Sequence, residues 1–339
     1  MRKQRQDASY SRRQLIQATG VAGLAGIAGC SGDTSQGQSP TIAILAPGSF
    51  QNALANGLRP AVDIPVQIEA HGSATVTRMI AAGQRDPDIV TVADVALFEN
   101  PLSPSWYSVF ASNSLVLIYN PESDSGQRIA AAGAENWYEP LADEAVNLGR
   151  TDPDQDPLGY RTLFMIELAS RYYDDASNLA DQILQENQLY PETALLSQFE
   201  TGSIDAAIAY RNMAVERGYE YIELPDQINL SNPQYVDGWY ATTSYTLPSG
   251  QQIQGGLISY GSTIRHMSDA AVAVFDGHTT GNYLTDHGFV LREQFPAYTG
   301  DIPQPIRRIT EDQSDDTRSQ LTRSTTVQPP DITGITVLI

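Results

Sequence analysis

The sequence predicts an α/β fold of two lobes with mainly parallel sheets. Three observations predict it. Strand-like and helix-like runs alternate along the chain, the pattern of strand–helix crossovers. The residues beyond the N-terminal segment number about 300, more than one ordinary core organises. Two Gly-Ser pairs, in PGS (Pro47–Ser49) and HGS (His71–Ser73), each sit between an apolar strand-like run and an amphipathic helix-like run. No internal repeat is evident.

The strand-like runs, in order, are Thr41–Ala46, Val66–Ala70, Ile89–Val92, Leu115–Tyr119, Val146–Gly149, Ile204–Tyr210, Tyr221–Leu224, Thr242–Leu247 and Leu257–Tyr260. The helix-like runs are Gln51–Arg59, Ala74–Ala82, Arg161–Tyr173, Ala176–Glu186, Glu192–Thr201, Ala214–Gly218 and Ser268–Thr280. Trp106, Trp137 and Trp239 read as packing residues in loops. Gln51–Arg59 and Ala74–Ala82 each follow a Gly-Ser pair. Helix N-termini of this kind gather N–H groups and the positive end of the dipole, and so favour anions. A third element of similar character is TDPDQDPLGYR (Thr151–Arg161). Asp-Pro repeats followed by Gly make a tight turn, because Pro presets φ, Asp closes local turns and Gly allows φ > 0. Together the three turns predict an oxyanion pocket.

The N-terminus reads as an export signal. Arg2, Lys3, Arg5, Arg12 and Arg13 make a basic stretch, and SRRQLIQ (Ser11–Gln17) has the twin-arginine pattern. The apolar run Val21–Gly29 is shorter than the about 20 residues that span a bilayer. It ends in LAGIAGC, a lipobox-like sequence whose Cys30 is the only cysteine. Residues 1–29 are therefore expected to be removed and Cys30 lipidated, with 30–40 a flexible polar tether. Without a second cysteine no internal disulfide is possible.

The net charge is −20. Residues 1–29 carry five basic residues and one acidic, so the remainder carries about −24. Lys3 is the only lysine. Such an acidic surface self-repels in dilute buffer and is screened in molar salt, where the Debye length is about 3 Å; a haloarchaeal source is expected. No basic patch is available to neutralise phosphates, which excludes nucleic acid as a partner. The four histidines, His71, His266, His278 and His287, show no metal-ligand spacing, and an enzyme is not expected.

In a set of motifs the chain resembles the archaeal tungstate/molybdate-binding proteins of ABC importers, the WtpA/ModA-like solute-binding family. The motifs are the PGS and HGS turns, FASNSLVLIYNPES (Phe110–Ser123), ENWYEPL (Glu135–Leu141), DPLGYR (Asp156–Arg161), ELASRYYDD (Glu167–Asp175), the stretch Gly202–Leu230 and SYGST (Ser259–Thr263). They run in the family's order from about Thr41 to Gly300. The resemblance implies a two-lobed periplasmic-binding-protein-like fold of type II, hinge-linked, with the ligand in the cleft between lobes. Lobe 1 is then 41–120 plus 245–301, lobe 2 is 121–244, and 302–339 is a tail. The hinges fall near Tyr119–Pro121 and Thr242–Thr246.

The resemblance also implies the site. Gly48, Ser49 and Ser73, with Gly72 before it, supply N–H and hydroxyl donors. Pro157 and Leu158 sit in the DPLGYR turn, where Leu158 offers a backbone N–H in a place the family more often gives to Cys. Tyr210 offers its phenol. Asp156 and Glu192 are carboxylate ligands, Glu192 keeping the family's spacing of 18 residues before the tyrosine. Asp152 and Asp154 read as turn and cap residues, His71 as incidental, and Arg161 and Arg211 either as groups standing behind the residues that touch the ligand or as partners for the two carboxylates. Ionised carboxylates repel a dianion in a dry cleft. Sulfate and phosphate do not take up extra oxygens readily, whereas tungsten(VI) and molybdenum(VI) do, so Asp156 and Glu192 point to tungstate or molybdate bound through the metal; sulfate or phosphate is the alternative. The expected protein is a monomer without cofactor, lipid-anchored outside the cell membrane after Tat export, that serves an ABC permease and its ATPase.

Overall fold

The computed structural model describes residues 40–143 and 145–309. The expected leader, Cys30 and most of the tether lie outside these residues, as does the tail beyond 309. Among the described residues no helix is long and apolar enough to cross a membrane.

Two main sheets make two lobes. The first has six strands in the order β13-β4-β12-β3-β1-β2. These are β1 (Ile42–Pro47), β2 (Val66–His71), β3 (Ile89–Val92), β4 (Trp106–Ser112), β12 (Ser259–Ile264) and β13 (Ala297–Gly300). The second has the order β7-β6-β8-β5-β9, formed by β5 (Leu115–Tyr119), β6 (Leu148–Thr151), β7 (Leu189–Tyr190), β8 (Ala206–Tyr210) and β9 (Tyr221–Glu223). A hairpin of β10 (Ser244–Thr246) and β11 (Gln252–Gln254) stands apart.

Both sheets are mixed rather than mainly parallel. β1 is parallel to β2 and β3, while β12 runs antiparallel to β3 and β4. β6 is parallel to β7 and β8, while β5 runs antiparallel to β8 and β9. In each sheet the strand arriving from the other lobe is inserted antiparallel, β5 one place in from the edge and β12 two places in. Central strands read as unbroken apolar runs because both faces are covered: every residue of β3 and β8 is buried.

The crossovers differ from those expected. β5 pairs within the second sheet, so the first crossover is at Asn113–Ser114 and not near Tyr119–Pro121. The second is next to β12, where the Ile258 N–H bonds the Leu230 carbonyl; Thr242–Thr246 instead enters the hairpin. Residues 115–120 therefore move to lobe 2. Strand β4 and the helix Asp124–Asn136 were not anticipated. That helix starts on a Ser123 cap but is broken by Gly133 at φ 62°, which blurs its period.

An aromatic cluster supports the first Gly-Ser turn. Phe50 is fully buried and stacks on Phe289 at 4.3 Å, with Tyr260 at 5.1 Å and Phe110 at 5.6 Å. The turn at Gly48–Phe50 leads into helical residues through Ala61, in place of one regular helix.

Candidate functional site

The turns expected to bind an anion meet the other lobe's carboxylates at the bottom of the cleft. Pro47 ends β1, and the chain turns at once, so the Gly48 and Ser49 N–H groups point out of the sheet's end. Glu192, first residue of its helix after Pro191, sets its carboxylate on them. The Gly48 N–H donates to Oε2 at 2.8 Å and the Ser49 N–H to Oε1 at 3.1 Å. The fit is close: a Cβ on Gly48 would lie 2.9 Å from Oε2.

The second turn meets the Asp-Pro turn. A Cβ on Gly72 would lie 2.5 Å from the Gln155 carbonyl oxygen and 2.6 Å from the Asp156 Cβ. Thr75 N–H donates to that carbonyl at 3.1 Å. Ser73 opens its helix, but its hydroxyl accepts the Ala93 N–H at 2.9 Å and so ties that helix to the end of β3.

Asp156 follows β6 and caps the helix Pro157–Tyr172, with Pro157 at its first position. Its Oδ1 accepts from the Gly159 N–H at 3.1 Å and the Thr151 hydroxyl at 2.9 Å. The Leu158 N–H also donates to this carboxylate, and the Leu158 side chain is buried. Asp152 is a turn residue, accepting the Asp154 N–H at 2.9 Å, and Asp154 receives the Tyr245 hydroxyl at 2.7 Å. Asp156 is the buried one of the three.

Electrostatically the two carboxyls share a dry site. Burial raises the Asp156 carboxyl well above the usual range, and the charge of Glu192 raises it further. Burial raises Glu192 to about 7 against the Ser49 hydroxyl, the Gly48 and Ser49 N–H groups and the charge of Arg161. A buried pair of this kind favours holding a proton.

Tyr210 ends β8 and is fully buried; its hydroxyl accepts from Arg161 Nη1 at 2.8 Å. Arg161 does not pair with Asp156 or Glu192. Its Nη2 lies 3.0 Å from Asp94 Oδ2 and its Nη1 donates to the Ala93 carbonyl at 2.8 Å. Burial alone would lower this guanidinium; Tyr210, Asp94 and Tyr160 outweigh that and hold it charged. Arg211 is outside the site, 3.4 Å from Glu223 on the surface. His71 pairs with Glu69 at 2.8 Å.

Five polar residues were missed. The Tyr260 hydroxyl donates to the Ser49 hydroxyl at 3.2 Å. Asn212 Nδ2 donates to the Ser49 carbonyl at 2.8 Å, and Asn113 Nδ2 to Asn212 Oδ1 at 2.8 Å. Asp94 accepts the Tyr160 hydroxyl at 2.8 Å. Tyr260 lies inside the SYGST motif, Tyr160 inside DPLGYR, Asn113 inside FASNSLVLIYNPES and Asn212 inside Gly202–Leu230, so position in a motif was the available signal for these; Asp94 carries none.

Two α/β lobes closed over a buried polar cleft define a binding protein of the two-lobed kind. The model of the bacterial extracellular solute-binding protein family matches residues 47–251, and the chain belongs to that family. Over 296 residues it is 49% identical to a Haloferax volcanii protein named as a candidate ABC transporter molybdenum-binding protein, covering 86% of this chain and 96% of that one. An uncharacterised solute-binding protein of Halobacterium salinarum is 32% identical over 313 residues, 89% of this chain and 99% of the other. The molybdate/tungstate-binding protein WtpA of Thermococcus kodakarensis is 32% identical over 229 residues, 59% of this chain and 64% of the relative.

Proposed function

We propose that this protein captures tungstate or molybdate outside the cell and delivers it to an ABC permease driven by its ATPase. The observation that carries the reading is the pair of buried carboxyl residues that meet the two Gly-Ser turns, Glu192 against the N–H groups of Gly48 and Ser49 and Asp156 beside Gly72. A site for a simple anion gains nothing from two carboxylates, whereas W(VI) and Mo(VI) accept carboxylate oxygen beside their four oxo groups. Gly48, Ser49 and Ser73 would then face the oxo oxygens from lobe 1, and Pro157, Leu158 and Tyr210 would line the other wall. The names of the Haloferax and Thermococcus relatives support the choice of cargo. The protein works as a monomer and as a carrier, with no cofactor and no reaction of its own. The acidic, lysine-poor composition supports life in molar salt, and the N-terminal motifs support Tat export and a lipid on Cys30.

Calorimetric titration in molar KCl tests this with tungstate, molybdate, sulfate and phosphate. Tungstate or molybdate binds 1:1 and sulfate is silent. Asp156→Ala and Glu192→Ala each weaken binding at least tenfold, about 1.4 kcal/mol. Binding of sulfate or phosphate alone, or full affinity in both variants, overturns the assignment.

A further inference from the structure

We propose that Asp94 and Arg161, with the Tyr160 hydroxyl, form a latch between the lobes that sets the closed population and hence the affinity for cargo, without touching the cargo. The proposal rests on the carrier reading given above but reads a different property of the same cleft. Asp94 belongs to lobe 1: it follows β3 and bridges to Ser259 at the start of β12. Tyr160 and Arg161 belong to lobe 2, in the first turns of the helix that Asp156 caps. One carboxylate oxygen, Asp94 Oδ2, takes both the Arg161 Nη2 at 3.0 Å and the Tyr160 hydroxyl at 2.8 Å. Arg161 Nη1 meanwhile bridges the Ala93 carbonyl of lobe 1 and the Tyr210 hydroxyl of lobe 2, each at 2.8 Å. The side chains are 3% and 13% exposed for Arg161 and Asp94, while most of the other ion pairs among the described residues are on the surface.

Burial makes the pair an opposing-cost device. With the lobes apart, each charge faces water and neither needs the other. With the lobes together, each is desolvated, and the cost is offset only by their mutual contact and by the tyrosine and carbonyl partners. Removing one charge leaves the other buried and unpaired in the closed form alone. The penalty therefore falls on closure. Closure is what brings Gly48 and Ser49 to Glu192, and Gly72 to Asp156, so a loss at the latch lowers affinity by lowering the closed fraction.

Asp94→Asn is the test variant, since Asn keeps the acceptor that caps the Ala96 N–H at 3.1 Å. Small-angle scattering of the full chain in molar KCl, without ligand, is expected to show a larger radius of gyration for the variant than for wild type. Titration with tungstate is expected to show at least tenfold weaker binding with an unchanged ranking of tungstate, molybdate and sulfate. In the Arg161→Met background, Asp94→Asn is expected to cost less than twofold more, because the latch is already gone. Tyr160→Phe, which removes one hydroxyl, weakens binding in the same direction and serves if Asp94→Asn fails to fold. An unchanged radius together with unchanged affinity overturns the latch. If wild type binds none of the oxyanions, the cargo reading falls, and the ligand-free scattering still decides the latch: a larger radius in the variant supports it, an equal one ends it.

Discussion

Loading the cleft with an oxyanion that is coordinated by carboxylates requires those carboxylates to be ionised, and the ligand-free cleft holds a proton. Glu192 sits at about 7 in the closed protein because burial outweighs its N–H and hydroxyl donors. At pH 6 such a group is about 0.9 protonated, so binding releases about 0.9 proton from Glu192. Asp156, also raised, adds to the same sign. Between pH 8 and pH 5.5 the affinity is expected to fall by about 30-fold from Glu192 alone, about 2 kcal/mol. Calorimetry in two buffers of different ionisation enthalpy counts the released protons directly. Glu192→Gln is expected to bind more weakly at every pH and to lose the Glu192 share of the pH dependence, leaving that of Asp156. Proton uptake on binding, or an affinity flat from pH 5.5 to 8 in wild type, would refute coordination by an ionised Glu192 displaced from a protonated state.

Other outcomes follow from the same geometry. Glu192 and Glu216 are both raised from 4.5 to about 7 by burial. A carboxyl raised in the folded state stabilises fully below its unfolded value and loses that contribution as pH rises through the folded one. Thermal unfolding of the ligand-free protein should therefore show stability falling from pH 4.5 to pH 7, by up to about 3 kcal/mol for the Glu192 shift. Glu216→Gln should flatten part of that slope. Gly72→Ala places a methyl against the Gln155 carbonyl and the Asp156 Cβ; titration should show tungstate affinity down by more than tenfold, with the melting temperature of the ligand-free protein little changed. Phe50→Ala empties the centre of the aromatic cluster under the Ser49 turn and should cost about 3–5 kcal/mol in denaturant unfolding.

How far the sequence could be read divides along physical lines. The buried strands β1, β3, β5 and β8 were legible because unbroken apolar runs bounded by turn residues leave little choice of state. Strand β4, WYSVFAS, mixes polar and aromatic residues without clean alternation, and its pairing with β12, Ser112 opposite Ser259 and Ser108 opposite Ser262, is fixed only by tertiary structure. The two crossovers were misplaced for a related reason. An inserted strand such as β5 looks locally like any other, and nothing in its own residues says which sheet it will join. At the cleft, Gly48, Ser49, Asp156 and Glu192 were singled out through turn chemistry and family resemblance; the structure sets Glu192 on the Gly48 and Ser49 N–H groups and Asp156 beside Gly72. Of the two roles open to Arg161, pairing with Asp156 or Glu192 does not occur, while a place behind a cleft residue does, through the Tyr210 hydroxyl; an arginine's own residue type displays no preference among acids. Asp94, 67 residues away, wins Arg161 through the approach of the lobes.

The insertion of β12 between β3 and β4 bears on the order in which the molecule is made. Lobe 2 is one continuous stretch, from β5 to β9, and has all its strands once Glu223 has been synthesised. Lobe 1 at that moment is two unjoined pieces, β1 to β3 on one side and β4 on the other, with two bare strand edges facing a gap. Only when residues 259–264 emerge is the gap filled, and the last edge strand, β13, comes later still. The half of the molecule synthesised first is thus completed last, through contacts of long sequence separation that form slowly. Any shortfall of chain beyond Leu257 leaves a finished lobe 2 tethered to an open, aggregation-prone sheet.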